Sequence, residues 1–318
     1  MIVNHSAGAA ALSLAALLFT GPALAATQVV TSLKPIELLV RAVASGEVEV
    51  TTLVQPGASP HNYTMKPSQR RALENADAIF WVGPELETFL TRLLGSSEFS
   101  ERTYSLMHGE NVPEIDADDG HHGHAEHRHG QENETGHDGH DHGDGEDPHI
   151  WLDPALALNM ARDIHKVLSQ QDGAQRAILD ANLERFEQEL SAAESDITTR
   201  LKPVADIDLF TYHDAFTRFA EHYDLTLEGI LTLNPELSPG ARHIAEVQQK
   251  LQQANQPCLL TEPQFNRQWW RSITEGLDIT FSTWDPLATD IEPDRDGYVA
   301  FQQSLADAVL KCLPQNAQ

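Results

Sequence analysis

An α/β fold of two Rossmann-like parallel-sheet lobes joined by one long helix is predicted by three observations. Strands alternate with amphipathic helices from residue 27 to residue 94, and the alternation resumes from residue 208 to residue 313. Between the two runs lies a helical pattern from Gly173 to Pro203 that holds no Gly or Pro within it. Alternating β and α segments imply a parallel sheet with helices on its faces.

The elements follow in order. TQVVTSL and VEVTTLV read as β-branched strands on either side of the amphipathic helix PIELLVRAVAS. The loop QPGASPHNYTMKP leads into a helix at PSQRRALENA, a strand at AIFWVG and a helix at PELETFLTRLL. Regular structure returns at HIWLDPALALNMARDIHKVLSQ, where Asp153 has the chemistry of an N-cap and Pro154 that of a first helical residue. In the long helix, Ile178, Leu183, Phe186 and Leu190 fall near helical spacing, and Pro203 closes the pattern.

The second half then reads DLFTYH (strand), DAFTRFAEHY (helix), LTLEGIL (strand) and SPGARHIAEVQQKLQQA (helix, with Ser238 as N-cap). PCLLTEP is a strand, NRQWWRSITEGL a helix, DITFSTWDP a strand and loop, and DGYVAFQQSLADAVLKCL the closing helix. The expected division is a signal peptide over 1–25, a first lobe over 26–170, a linking helix over 171–203 and a second lobe over 204–318.

The formal net charge of −27 disfavours nucleic acid as a partner and suits a soluble protein that attracts cations. Much of the acid sits near residues 110–148, a stretch of His, Asp, Glu and Gly with almost no apolar side chains. Such a segment cannot bury enough surface to offset its ordering entropy, so a disordered loop is expected there. The apolar start is short and ends in Ala23-Leu24-Ala25, the small-residue pattern of a signal peptidase site. A signal peptide cleaved near Ala25 is the expectation. An uncleaved anchor is the alternative, because no Lys or Arg precedes the apolar stretch. In an oxidising compartment the two cysteines, Cys258 and Cys312, could pair and tie the last helix to a strand, or they could stand as separate buried thiols.

Three histidines lie where a strand passes into a loop or helix: His61 in GASPHNY, His149 in DPHIWLDP and His213 in FTYHDAF. Ligands in open α/β sheets gather beyond the carboxyl ends of strands, and three imidazoles converging on a cleft suit zinc. Asp285 in STWDPLATD, or a water, could supply a fourth donor. His108, His165, His222 and His243 are read as structural hydrogen-bonding or surface residues.

A second set of histidines lies in the acidic stretch: His121, His122, His124, His127 and His129, then His137, His140 and His142. Mostly neutral at pH 7, with an imidazole pKa of about 6.5, they can bind metal. A flexible chain loses entropy on organising a site, so an accessory capture segment weaker than the cleft is expected.

These motifs resemble a known family. SLKP, GASPHNY followed by KPS, NADAIFWVGPELE, HIWLDP, YHDAF, NPELSPG, TEPQF and DPLATD, with a His- and acid-rich insertion before HIWLDP, are similar to the zinc-specific solute-binding proteins of bacterial ABC transporters. These form the ZnuA-like branch of the cluster A-I metal-binding proteins, and the likeness runs from about Ser32 to the C-terminus.

The resemblance implies two lobes on a rigid helix with metal in the cleft between them, and ligands at His61, His149 and His213. It also implies a loop aspartate at Asp285 and a disulfide between Cys258 and Cys312. Some relatives carry a glutamate ligand immediately before the first histidine; Pro60 stands there in this chain. Manganese-binding relatives usually place a carboxylate where this chain has His213, so imidazole dominates and zinc is favoured over a harder cation.

The implied function is periplasmic capture of Zn(II) as transported ligand and its delivery to an ABC permease by a monomeric protein that is not an enzyme. The alternatives are a receptor for Mn(II) or another divalent metal, or an extracellular metal-buffering or adhesive protein. No HExxH pattern, nucleophile elbow or Walker loop supports an enzyme.

Overall fold

In the first sheet, strand β1 (Thr27–Thr31) lies between β2 (Val48–Thr52) and β3 (Ala78–Trp81), parallel to both. The computed structural model describes residues 26–46, 48–111, 146–232, 235, 239–265, 271 and 273–314. The expected signal peptide and all eight histidines from His121 to His142 lie outside the described residues.

Every residue of β3 is buried, as an all-apolar AIFW strand covered on both faces requires. Edge strand β2 alternates buried and open positions instead. Two strands that the periodicity did not announce complete this sheet: β4 (Thr103–Ser105) and β5 (Glu110–Asn111), in the order β2-β1-β3-β4-β5. The last of these pairs antiparallel, so the sheet is parallel except at that edge.

Helix α1 (Lys34–Ala44) is buried almost all round, because it packs against α4 (Pro154–Leu168), α5 (Arg176–Leu201) and the final helix α8 (Gly297–Leu310) as well as its own sheet. Gly297 is needed at the α8 contact, since a Cβ there would lie 2.6 Å from the Glu292 carbonyl oxygen and 2.9 Å from Leu38 Cδ2. Helix α2 (Pro67–Asn75) falls where expected. Helix α3 (Thr88–Leu94) starts later than PELETFLTRLL suggests. Its would-be first turn is displaced because Glu87 folds back under the chain and accepts the Val82 and Gly83 amide hydrogens, at 3.2 and 3.0 Å.

At the start of α4 the expected cap is present: Asp153 Oδ1 accepts from the Ala155 and Leu156 amides at 2.7 and 3.3 Å, with Pro154 in the first turn. Helix α5 has 26 residues, about 39 Å of rod. Its buried stripe runs through Leu179, Phe186, Leu190, Ala193, Ile197 and Leu201. Ile178, expected in the stripe, is 40% exposed, and Leu179 takes the core position. Pro203 does not stop the chain's helical course. It enters a 3-10 turn, Lys202–Asp206, whose first positions need no amide hydrogen.

The second sheet is fully parallel in the order β7-β6-β8-β9. Its elements are β6 (Leu209–His213), α6 (Thr217–His222), β7 (Leu227–Thr232), α7 (Ala241–Gln253), β8 (Cys258–Thr261) and β9 (Thr280–Thr283). The N-cap of α7 is Gly240, and the expected Ser238 cap lies outside the described residues, as do residues 266–270 and 272 of the expected helix NRQWWRSITEGL, of which 271, 273 and 274 are helical. Cys258 and Cys312 form a disulfide with a Cα–Cα distance of 5.6 Å, joining β8 to the end of α8. Among the described residues no helix is long and apolar enough to cross a membrane.

Candidate metal centre

His213 ends β6, the innermost strand of the second sheet together with β8, and its backbone carbonyl is held by Ala215 N and Thr211 Oγ1. His61 arrives from the first half on a one-turn 3-10 helix, Pro60–Asn62. The sequence Ser-Pro-His builds that turn: Pro60 presets the first helical φ, and Ser59 Oγ accepts the His61 amide at 3.3 Å. His149 stands at the entrance to a second 3-10 turn, Ile150–Leu152, just before α4.

The three rings meet. Their centroids lie 5.6 Å (His61–His149), 5.7 Å (His61–His213) and 5.3 Å (His149–His213) apart. One ring nitrogen from each lies within 4.8 Å of the others, and among the described residues no other group of histidine, cysteine or carboxylate side chains does the same. Tetrahedral coordination at Zn–N distances of about 2.0–2.1 Å sets nitrogens roughly 3.3 Å apart, so an inward shift of at most about 1.5 Å suffices. The cavity among them is about 10 Å³, room for one water-sized body and too small for an organic ligand.

Two carboxylates behind the rings fix their orientation. His213 Nδ1 lies 2.6 Å from Glu262 Oε1, and Glu262 is 3% exposed. His213 Nε2 is buried and has no hydrogen-bond partner among the described residues. A buried nitrogen without a partner is costly unless something else satisfies it. His149 Nδ1 lies 2.8 Å from Asp147 Oδ1, which also accepts the His149 amide hydrogen at 2.9 Å. In both rings the carboxylate fixes the proton on Nδ1 and directs Nε2 toward the cavity, the arrangement that carboxylate–histidine pairs give metal ligands.

Burial first, then the proximity of His149 and His213, pushes the His61 imidazole down to about 3. It is therefore neutral, with a lone pair to donate. Burial works to raise the Asp147 carboxyl, but the His149 hydrogen bonds and Arg218 outweigh it and hold the group below its ordinary value. Trp151 and Phe265 stand edge-on to His149 and His213, at 5.3 and 5.4 Å, and limit their rotation.

Asp285 is not brought to the cluster. Its Oδ1 accepts from Gln264 Nε2 at 2.6 Å and from the Leu287 amide at 3.0 Å, and its Oδ2 accepts from the Thr289 amide at 2.7 Å. The carboxylate expected as a fourth ligand thus shapes the loop whose Pro286 and Leu287 wall the cavity. The other described histidines have partners elsewhere: His108 with Glu85, His165 with Asp180, His222 with Asp153 and Glu194, and His243 with the Ile230 carbonyl.

Glu262, Asp147 and Arg218 were not anticipated from sequence. Glu262 had a usable signal, since TEP ends the strand beside that of His213. Asp147 precedes His149 by two residues within an acidic run, which masked it, and nothing local marks Arg218.

Two parallel-sheet halves against one long helix, with imidazoles from both converging on an ion-sized cavity, describe a two-lobed solute-binding protein. The family described as ZnuA, zinc-uptake complex component A, periplasmic, matches residues 29–312. The chain belongs to that family. It is 36% identical over 310 residues to the high-affinity zinc uptake system protein ZnuA of Yersinia pestis, covering 94% of this chain and 95% of the relative. It is 33% identical over 318 residues to the protein of the same name from Brucella abortus, covering 93% and 95%.

Among solved structures, a ZnuA crystal structure aligns with a TM-score of 0.68 at 24% identity, over 90% of this chain and all (100%) of that one. The solute-binding protein FpvC of Pseudomonas aeruginosa, in complex with Mn2+, aligns at 0.70 and 17%, over 92% and 100%. These two structures share the fold.

Proposed function

We propose that this chain captures Zn(II) in the periplasm through His61, His149 and His213 and hands it to an ABC permease of the inner membrane. The observation that carries the reading is the cluster itself: three imidazole nitrogens within 4.8 Å of one another, with His213 Nε2 buried and unbonded. The ZnuA relatives named as high-affinity zinc uptake proteins support it. An all-nitrogen donor set favours a borderline cation such as zinc over manganese. A water takes the fourth position; Asp285 would enter only by giving up its bonds to Leu287 and Thr289.

Zn(II) is the cargo, and the protein's part is to present three imidazole donors in a preshaped space and release the ion on lobe movement. It acts as a monomer and performs no covalent chemistry. The mature chain begins after Ala25, with lobes 26–170 and 204–318 about the linking segment 171–203, and the His121–His142 tract is an accessory capture segment.

The test is Zn(II) titration against a competing chelator, comparing the intact chain with one lacking residues 120–145, which keeps Glu146 and Asp147, and with His213→Ala. One tight site that survives the deletion and disappears in His213→Ala is expected. Tight binding that vanishes with the tract alone, and persists in His213→Ala, refutes the cleft assignment.

A further inference from the structure

We propose that Arg218, on helix α6 of the second half, is a positioning residue for the His149 ligand and acts on it through Asp147. The inference rests on the zinc-binding reading above. His149 lies four residues past the stretch of 120–145, which is rich in His and acid and almost free of apolar side chains. What holds its imidazole is Asp147, bonded to both the ring and the amide. What holds Asp147 is Arg218.

Arg218 Nε donates to the Asp147 carbonyl at 2.9 Å, and Nη2 donates to the same oxygen. Nε also lies 3.4 Å from Asp147 Oδ2, and Nη2 lies 3.3 Å from Glu146 Oε1. The guanidinium is therefore set against backbone and carboxylate together. Side-chain exposures of 16% for Arg218 and 10% for Asp147 place the pair largely out of water, where a fixed geometry is not easily averaged away.

The turn that follows is anchored from the same side. Trp151 Nε1 donates to the Pro286 carbonyl at 2.7 Å, Tyr298 Oη donates to the Trp151 carbonyl at 2.9 Å, and His222 lies 3.2 Å from Asp153. Helix α4 beyond it packs instead on α1, α5 and β3. Residues 146–153 are thus gripped by the second half, although the helix they lead into belongs against the first. His149 and His213 share one support, and His61 comes from the other side of the cavity.

Removing a residue that orients a ligand typically weakens metal binding by about 10–100-fold. Arg218→Gln is expected to fall in that range, and Arg218→Lys to lose less, because a point charge replaces a fork. The double variant with Asp147→Ala, which removes the side chain that bonds His149, is expected to be no weaker than Asp147→Ala alone, since one residue acts through the other.

The experiment measures Zn(II) affinity by chelator competition. It also records the ring 15N signals of His149 in the metal-free protein, which report its tautomer. Lowered affinity together with a redistributed His149 tautomer supports the proposal. Unchanged affinity and unchanged His149 signals in Arg218→Gln overturn it, as do losses that multiply in the double variant. If Arg218→Gln does not fold, Arg218→Lys reads the same two quantities, and wild-type values in both overturn the proposal. Wild type and His213→Ala are measured first: no tight site in wild type defeats the zinc-binding reading, whereas a tight site indifferent to Arg218 defeats only this inference.

Discussion

Glu262 lies 2.6 Å from Nδ1 of His213, although the two residues are 49 positions apart. Strands β6 and β8 are adjacent and parallel, so residues just past their ends share the same edge of the sheet. The carboxylate fills the back of the imidazole and leaves Nε2 as the group facing the cavity.

Glu262→Gln therefore weakens zinc by about 10–100-fold, because an amide cannot stabilise the Nδ1 proton as a carboxylate does. Chelator competition measures it, and circular dichroism confirms that the variant folds. An unchanged affinity would show that His213 needs no such support.

His213→Ala and His149→Ala each cost more than an orienting change does, beyond the roughly 100-fold upper end for such residues. His165→Ala removes a ring paired with Asp180 on the helices and leaves zinc affinity unaltered. The contrast separates ligands from structural histidines. Equal effects at His165 and His213 would speak against a discrete site.

His222 gives a pH signature. Its hydrogen bond to Asp153, 3.2 Å away, raises the imidazole above its ordinary value despite partial burial, and Glu194 at 3.0 Å adds to the effect. A raised pKa contributes stability that is fully present below the unfolded value of about 6.5 and is lost as pH rises through the folded value. The melting-temperature difference between wild type and His222→Gln is expected to be largest near about pH 6 and to shrink toward about pH 9. A difference that grows with pH would reverse the assignment.

The disulfide closes a chain segment 54 residues long. On the chain-entropy view that is worth about 4 kcal/mol at most. Replacing both cysteines by alanine is expected to lower the melting temperature by up to roughly 6 °C. Zinc affinity stays the same, because Cys258 begins β8 and the cavity lies beyond its other end. Calorimetry and titration of one sample check both.

Most of the architecture was legible because its signals are local. Periodicity of two or 3.6 residues and the Asp153-Pro154 cap each sit within a few neighbouring residues. Where the local signal was short it failed. Strands β4 and β5, of three and two residues, carry too little pattern to detect. The choice between Ile178 and Leu179 turns on a helix rotation that only packing resolves. The start of α3 moved because Glu87 found backbone amides to satisfy at the end of β3.

The sequence by itself determined the two strand–helix halves, the long helix between them, the two cysteines and the three histidines, although only His213 ends a strand, while His61 and His149 sit at 3-10 turns. Only the tertiary structure decided that those histidines meet, that Asp285 turns both oxygens to Gln264 and its own loop, and that Glu262, Asp147 and Arg218 stand behind the rings. The reason is physical. An element's pattern is set by a repeat along the chain, but a side chain's partner is set by where packing delivers residues 71 or 135 positions away, as for Arg218 with Asp147 and Trp151 with Pro286.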